Sequence, residues 1–267
     1  MDSRVLFLGT GGDSLVVGKQ YLASGGIIIN AEDSQFHIDP GPGSLVMAKF
    51  FGVNLRENTA LFLTKSQLFR ANDINAVISA MTYDGLDKRG ILVCPSYIAS
   101  KHENSILNSD YQEFLDKTIT LDNTKRIGIN KIDIEVIELG EPANISCGYK
   151  FITKKFSIGY LPDTSYFDEL GERYADTDIL IISVTEPREL KSKEHLNSLD
   201  AEKIIKKAAP RLAIITGFGI KMFQAEPLYE AREIQKATGI QVIAAKDGMN
   251  INPVSFAATV RQKNLEN

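Results

Sequence analysis

Short apolar runs ending on glycine, aspartate or threonine recur along almost the whole chain, and they constrain the fold more than any other feature. Runs at 5–8, 26–29, 35–38, 60–63, 91–94, 132–139, 149–152, 156–160, 179–184, 212–215 and 241–245 have the length and side-chain content of β-strands. Segments at 44–51, 73–81, 105–115, 166–174, 200–208 and 226–237 read as helices; in the second, Ile74, Val77, Ile78 and Met81 fall at i, i+3, i+4 and i+7. Residues 150–158 read as a hairpin with a short polar turn. Hairpin-like pairs dominate early and in the middle, while strand and helix alternate near the end. Two mixed β-sheets with helices outside suit this order.

No low-complexity linker, internal repeat or long charge run divides the sequence, so residues 1–267 are expected to form one domain. A hydrophobic share of 43% is enough for a large core. A net charge of -4 gives no general basis for a nucleic-acid surface and favours a small-molecule or protein partner. No apolar run approaches ~18 residues and the first residues lack a signal-peptide core, so no membrane partner and a cytoplasmic location are expected. Cys94 and Cys147 stand in separate apolar stretches without CxxC spacing, which reads as two buried thiols.

Several strand ends carry groups suited to chemistry. FLGTGGDS (7–14) is a strand followed by a glycine-rich turn; it lacks the Lys-Ser/Thr of a P-loop and opens no clear helix, so it reads as a structural turn. HIDPGPGSLV (37–46) sets Asp39 after a strand, either to tie the following turn or to orient neighbouring site residues. YLPDTSYF (160–167) sets Asp163 after another strand, as a helix cap or as a carboxylate reaching a central pocket. EHLNSLDAEKII (194–205) carries His195 just before a helix, and IITGFG (214–219) ends a strand on Gly217. Asp39, Thr64, Asp163 and Gly217 are therefore expected on one rim.

In order and spacing these segments, with the ALFLT corner (60–64) and the late VIAAKDGM (242–249), resemble the metallo-β-lactamase fold, and most closely its ribonuclease Z-like hydrolase branch, over about residues 7–249. The resemblance implies a four-layer αββα sandwich with a groove at one edge of two mixed sheets. It also implies a dinuclear metal site in active members, whose strand-to-helix corner reads Thr-His-x-His-x-Asp-His. On that pattern this chain has Lys65 and Gln67 for the first two histidines, Phe69 for the aspartate and Arg70 for the third histidine. A middle histidine would fall near Glu141 or Pro142 and is missing; the late histidine is Gly217; the bridging aspartate is kept as Asp163; and His195 matches a histidine that assists substrate or leaving group. Ammonium, guanidinium and phenyl groups have no lone pair to offer a metal ion, and an amide is not among the imidazole, thiolate and carboxylate donors that zinc and its relatives need.

The resemblance thus implies a hydrolase fold without its metals, a pseudoenzyme with no cofactor. Lys65, Gln67, Arg70, Asp163 and His195 would form a ligand-binding pocket for a small anionic molecule or a protein partner. An ion pair of Lys65 or Arg70 with Asp163, at about 4 Å, is expected to stand where the metals stood. Two other readings stay open. One is a hydrolase of phosphate or other small esters, with an unusual metal set or with Asp163, His195 and Arg70 as metal-free catalytic groups; the other is a structural subunit.

Overall fold

Alternation within single strands sets the layers. In the strand Arg4–Phe7, Val5 and Phe7 enter one core and Leu6 another; in Asn58–Phe62, Ala60 and Phe62 are divided from Leu61 in the same way. The strand Ile179–Ser183 sends Ile179 and Ile181 into the core of Val5 and Phe7, and Leu180 and Ile182 into a third. Both faces of such strands are buried, which explains why their sequences are continuously apolar.

The computed structural model describes residues 2–100, 105–121, 125–139 and 146–257. The strands in chain order are β1 (Arg4–Phe7), β2 (Ile27–Ala31), β3 (Ser34–Ile38), β4 (Asn58–Phe62), β5 (Ile91–Cys94), β6 (Lys117–Thr120), β7 (Arg126–Ile129), β8 (Ile132–Glu138), β9 (Cys147–Ile152), β10 (Ser157–Leu161), β11 (Ile179–Ser183), β12 (Leu212–Thr216), β13 (Gln241–Ala244) and β14 (Asn250–Ile251). They form two seven-stranded sheets, ordered β14-β1-β2-β3-β4-β5-β6 and β13-β12-β11-β10-β9-β8-β7. Each is mixed: β3 to β6 and β10 to β13 run parallel, and the hairpin-connected strands run antiparallel.

Helices cover the outer faces. The first sheet is backed by helices Ser44–Phe50 and Ile74–Thr82 through Ala48, Ile74, Val77, Ile78 and Met81. The second is backed by Ser198–Ala208 and Pro227–Thr238 through Ala201, Ile204, Ile205, Ala231 and Ile234. The result is the αββα sandwich expected from the sequence. Between the sheets, Phe36, Phe62, Tyr149 and Phe151 pack mostly edge to face with centroids 5.1 to 6.1 Å apart.

Four expectations are corrected. The helix expected at 105–115 is only Ser109–Glu113, because its apolar residues Leu107 and Leu115 flank it instead of forming a stripe, and Asn108 caps it. The helix expected at 166–174 is only Leu170–Arg173. FLGTGGDS does open a helix, Ser14–Gly18, whose first turn is capped by Asp13 accepting from the Val16 amide at 2.7 Å. Strands β6, β7 and β14 add to the expected set; they are short and partly exposed, so burial writes little pattern into them.

Candidate functional site

The carboxyl ends of the parallel strands β3, β4, β10, β11 and β12 carry Asp39, Thr64, Asp163, Thr185 and Gly217 to one rim. Asp39 has a positive φ of 50°, a left-handed conformation that aspartate tolerates better than most residues. Its Oδ1 accepts from the Thr64 amide at 2.8 Å and its Oδ2 from the Thr64 hydroxyl at 2.7 Å, so it ties the end of β3 to the end of β4. The Pro/Gly turn after it is held instead by Asp73, which accepts from the Gly43 and Ser44 amides at 2.9 Å.

Arg70 is buried at 6% exposure in the short helix Leu68–Ala71 that follows the corner. Its Nη1 donates to the Tyr160 hydroxyl at 3.2 Å and lies 3.7 Å from Asp39 Oδ2, while Tyr160 in turn donates to that Oδ2 at 3.1 Å. This corrects the expected ion pair: the new cation sits against Asp39, not in contact with Asp163. Burial raises the Asp39 carboxyl above its ordinary range, opposed by Arg70 and by the Thr64 and Tyr160 hydrogen bonds. Tyr160 carries no signal in the sequence, since a tyrosine in an apolar strand looks like core.

Asp163 takes different partners. Its carboxylate faces His195 Nδ1 at 2.9 Å through both oxygens and accepts from the Thr185 hydroxyl at 3.0 Å. No helix begins at Ser165, so Asp163 is not a cap. Burial works against its charge, yet the His195 hydrogen bond and the positive fields of Arg70 and Lys65 hold its carboxyl below the usual range. The same hydrogen bond raises the His195 imidazole above its ordinary value, with burial opposing. His195 stays 31% exposed at its side chain. With Nδ1 facing the carboxylate, Nε2 is the ring atom left for an incoming group. His195 is placed by the chain just before Ser198–Ala208, whose start is fixed by a capping box of Asn197 and Asp200.

Lys65 is half-buried, and Gln67 precedes the Leu68–Ala71 helix with its Oε1 buried and unpartnered. The glycine-rich turn proves structural: Phe218 donates to Thr10, Gly12 donates to Phe218, and Asp13 accepts from the Ile220 amide at 2.7 Å. A Cβ at Gly12 would lie 1.9 Å from the Gly217 carbonyl oxygen, so glycine is required for the two sheets to meet here. Gly217 has φ +66°, and a Cβ there would sit 2.7 Å from Ser183 Oγ.

These residues do not fit a dinuclear metal centre. Where the resemblance calls for imidazole and carboxylate donors, Arg70 is a buried cation, Phe69 a ring, and Gly217 has no side chain in a backbone conformation hostile to one. Among the described residues no three His, Cys, Asp or Glu side chains are grouped so as to hold an ion. Glu141 and Pro142, near which the middle histidine would fall, lie outside the described residues. Cys94 and Cys147 are both buried, and burial drives the Cys147 thiol far up, which makes it inert.

Architecture and residual site together define a metallo-β-lactamase-fold protein without an intact metal cluster among its described residues. Residues 35–218 match the model of the beta-lactamase superfamily domain, and the chain belongs to that family. An uncharacterized protein of Methanocaldococcus jannaschii is 29% identical over 94% of this chain and 95% of its own length. Among solved structures, the metallo-beta-lactamase fold protein YhfI from Bacillus subtilis superposes with TM-score 0.75 at 17% identity, over 94% of this chain and 99% of its own. The short form of human tRNase Z superposes with TM-score 0.66 at 16% identity, over 94% and 99%. At these identities the likeness is one of fold. No helix among the described residues is long and apolar enough to cross a membrane.

Proposed function

We propose that this chain is a non-catalytic binding or regulatory protein of the ribonuclease Z-like branch, built on a hydrolase fold that has lost its dinuclear site. The observation that carries this reading is Arg70, a buried guanidinium standing where a metal-ligating histidine would be and neutralising Asp39. Lys65, Gln67, Arg70 and His195 would receive the acidic group of a small molecule or of a protein partner, with Asp163 holding His195 in place. The test is metal analysis of the purified protein, paired with a thermal-shift screen of nucleotides and phosphorylated metabolites on the wild type, Lys65→Ala and His195→Ala. The reading expects no stoichiometric zinc, iron or manganese, and stabilisation by an anionic compound that both substitutions weaken. Near-stoichiometric metal dependent on Asp163 would overturn it.

The Asp163–His195 pair favours one second reading. A carboxylate that orients an imidazole at 2.9 Å and leaves its other nitrogen outward is the arrangement of a general base. Metal-free hydrolysis of a phosphate or other small ester by this pair, with Arg70 as the electrophile, would appear as turnover unaffected by chelators and abolished by His195→Ala.

A further inference from the structure

A pocket of about 500 Å³ opens between the loop after β1, the loop after β12 and the end of β13. Its walls are mainly apolar, from Leu22, Phe218, Phe223 and Leu228, and its lining includes Glu226 and Lys246. None of Lys65, Gln67, Arg70, Asp163 and His195 lines it. The volume lies within the range of pockets that enclose a small organic molecule.

Its walls are fixed in place. Asp247 Oδ1 accepts from the Thr10 hydroxyl at 2.7 Å and its Oδ2 from the Ala23 amide at 2.8 Å, which ties the loop after β1 to the end of β13. Phe223 stacks on Tyr21 with ring centroids 5.4 Å apart and planes 8° from parallel. Tyr21, Phe223 and Leu228 nevertheless stay exposed, and apolar side chains left together at the surface mark a contact site. Glu226 opens the helix Pro227–Thr238 with φ 60° and ψ 92°, a conformation strained for any residue but glycine and of the kind held at ligand clamps. The side chains of Glu226 and Lys246 are exposed, and neither has a hydrogen bond or ion pair among the described residues.

Two free opposite charges on an apolar pocket select among occupants. A monocation meets Lys246 as a like charge, a monoanion meets Glu226 as one, and a neutral apolar molecule answers neither. Asp247 is already engaged by Thr10 and Ala23. We infer that this pocket binds a small zwitterion with an apolar body, of the class of a dipeptide of large apolar residues, with its ammonium on Glu226, its carboxylate on Lys246 and its side chains against Phe218, Phe223 and Leu228. Burial of the apolar body supplies the affinity, and the two charged ends set its direction. The inference is independent of the function proposed above, with which it shares no residue.

The test is calorimetric titration of the full chain with leucyl-phenylalanine, its N-acetyl form, its C-terminal amide, and alanyl-alanine. Expected are saturable one-to-one binding of the free dipeptide, a weakening of about fivefold in each blocked form, as for one ion pair open to solvent, and no saturation by alanyl-alanine, which lacks the apolar body. Lys246→Met should weaken the free dipeptide by a similar factor but not the amide. Glu226→Gln should weaken the free dipeptide but not the N-acetyl form. Both replaced side chains are exposed, so the two variants should keep the wild-type Tm. His195→Ala should leave dipeptide affinity within about twofold, as expected of sites with no shared partner. A larger loss would place the dipeptide at the Asp163–His195 pocket and overturn the inference. Absence of saturable binding, or an affinity that survives blocking of either end, overturns it as well.

Discussion

Arg70 Nη1 lies 3.7 Å from Asp39 Oδ2, and the two residues share Tyr160 as a common hydrogen-bond partner. The Arg70 cation thus compensates the carboxylate that backs the site, while Asp163 is compensated by His195. Removing one member of a buried pair leaves the other charge unpaired. Arg70→Met should therefore cost about 3–5 kcal/mol. Thr64 and Tyr160 still serve Asp39 in that variant, which places the loss toward the lower end. Urea unfolding measures it; a loss under about 1 kcal/mol would show that the pair is incidental.

The Asp163–His195 contact makes a titration prediction. His195 gains its partner in the folded state, so its pKa is raised, and its contribution is fully present below about pH 6.5 and fades as pH rises through the folded value. Asp163 is lowered, so its share is present above about pH 3.8 and fades as pH falls through the folded value. Proton NMR of the His195 ring should give a midpoint above the usual 6.5. Asp163→Asn should bring that midpoint down. An unchanged midpoint would mean that the carboxylate does not govern the imidazole.

Gly217 predicts that donors alone will not rebuild the metal site. Its φ of +66° disfavours any side chain, and a Cβ would press on Ser183 Oγ at 2.7 Å. Gly217→Ala should cost about 1–3 kcal/mol. A variant carrying Lys65→His, Gln67→His, Phe69→Asp, Arg70→His and Gly217→His should bind zinc no more tightly than one lacking the last change. Calorimetric zinc titration compares them, and a clear gain from histidine at 217 would show that this segment reverts easily.

How much of this is legible from residues alone follows from what burial writes into a sequence. Strands such as Ile179–Ser183 and Leu212–Thr216 are apolar on both faces and readable as runs, whereas Lys117–Thr120 and Asn250–Ile251 sit at sheet edges, where solvent lets polar residues intrude. The absence of ligands at 65, 67, 69, 70 and 217 can be read from residue chemistry. The partner of Arg70 cannot, because Asp39, Arg70 and Tyr160 are brought together from β3, the corner after β4 and the end of β10, with 90 residues separating Arg70 from Tyr160. The left-handed backbone at Gly217 is equally invisible, since a glycine in a turn looks the same whether or not its φ is positive.

His37 sets the acid limit of stability. It is fully buried in β3, and its Nε2 faces the Gly25 carbonyl at 2.7 Å, so the neutral ring donates there. Burial lowers its pKa to about 4. A depressed base is neutral in the folded state but takes up a proton when unfolded below 6.5, so its contribution is present above that pH and lost as pH falls toward 4. The gap corresponds to about 3 kcal/mol between those limits. His195 acts in the opposite sense but above about pH 6.5, so the comparison is made below that pH to isolate His37. His37→Gln keeps a donor for Gly25 but cannot titrate, and it should flatten the fall of unfolding free energy between pH 6.5 and 4 whatever its effect at neutral pH. Denaturant curves at a series of pH values give the slopes, and equal slopes for wild type and variant would show that another group sets the limit.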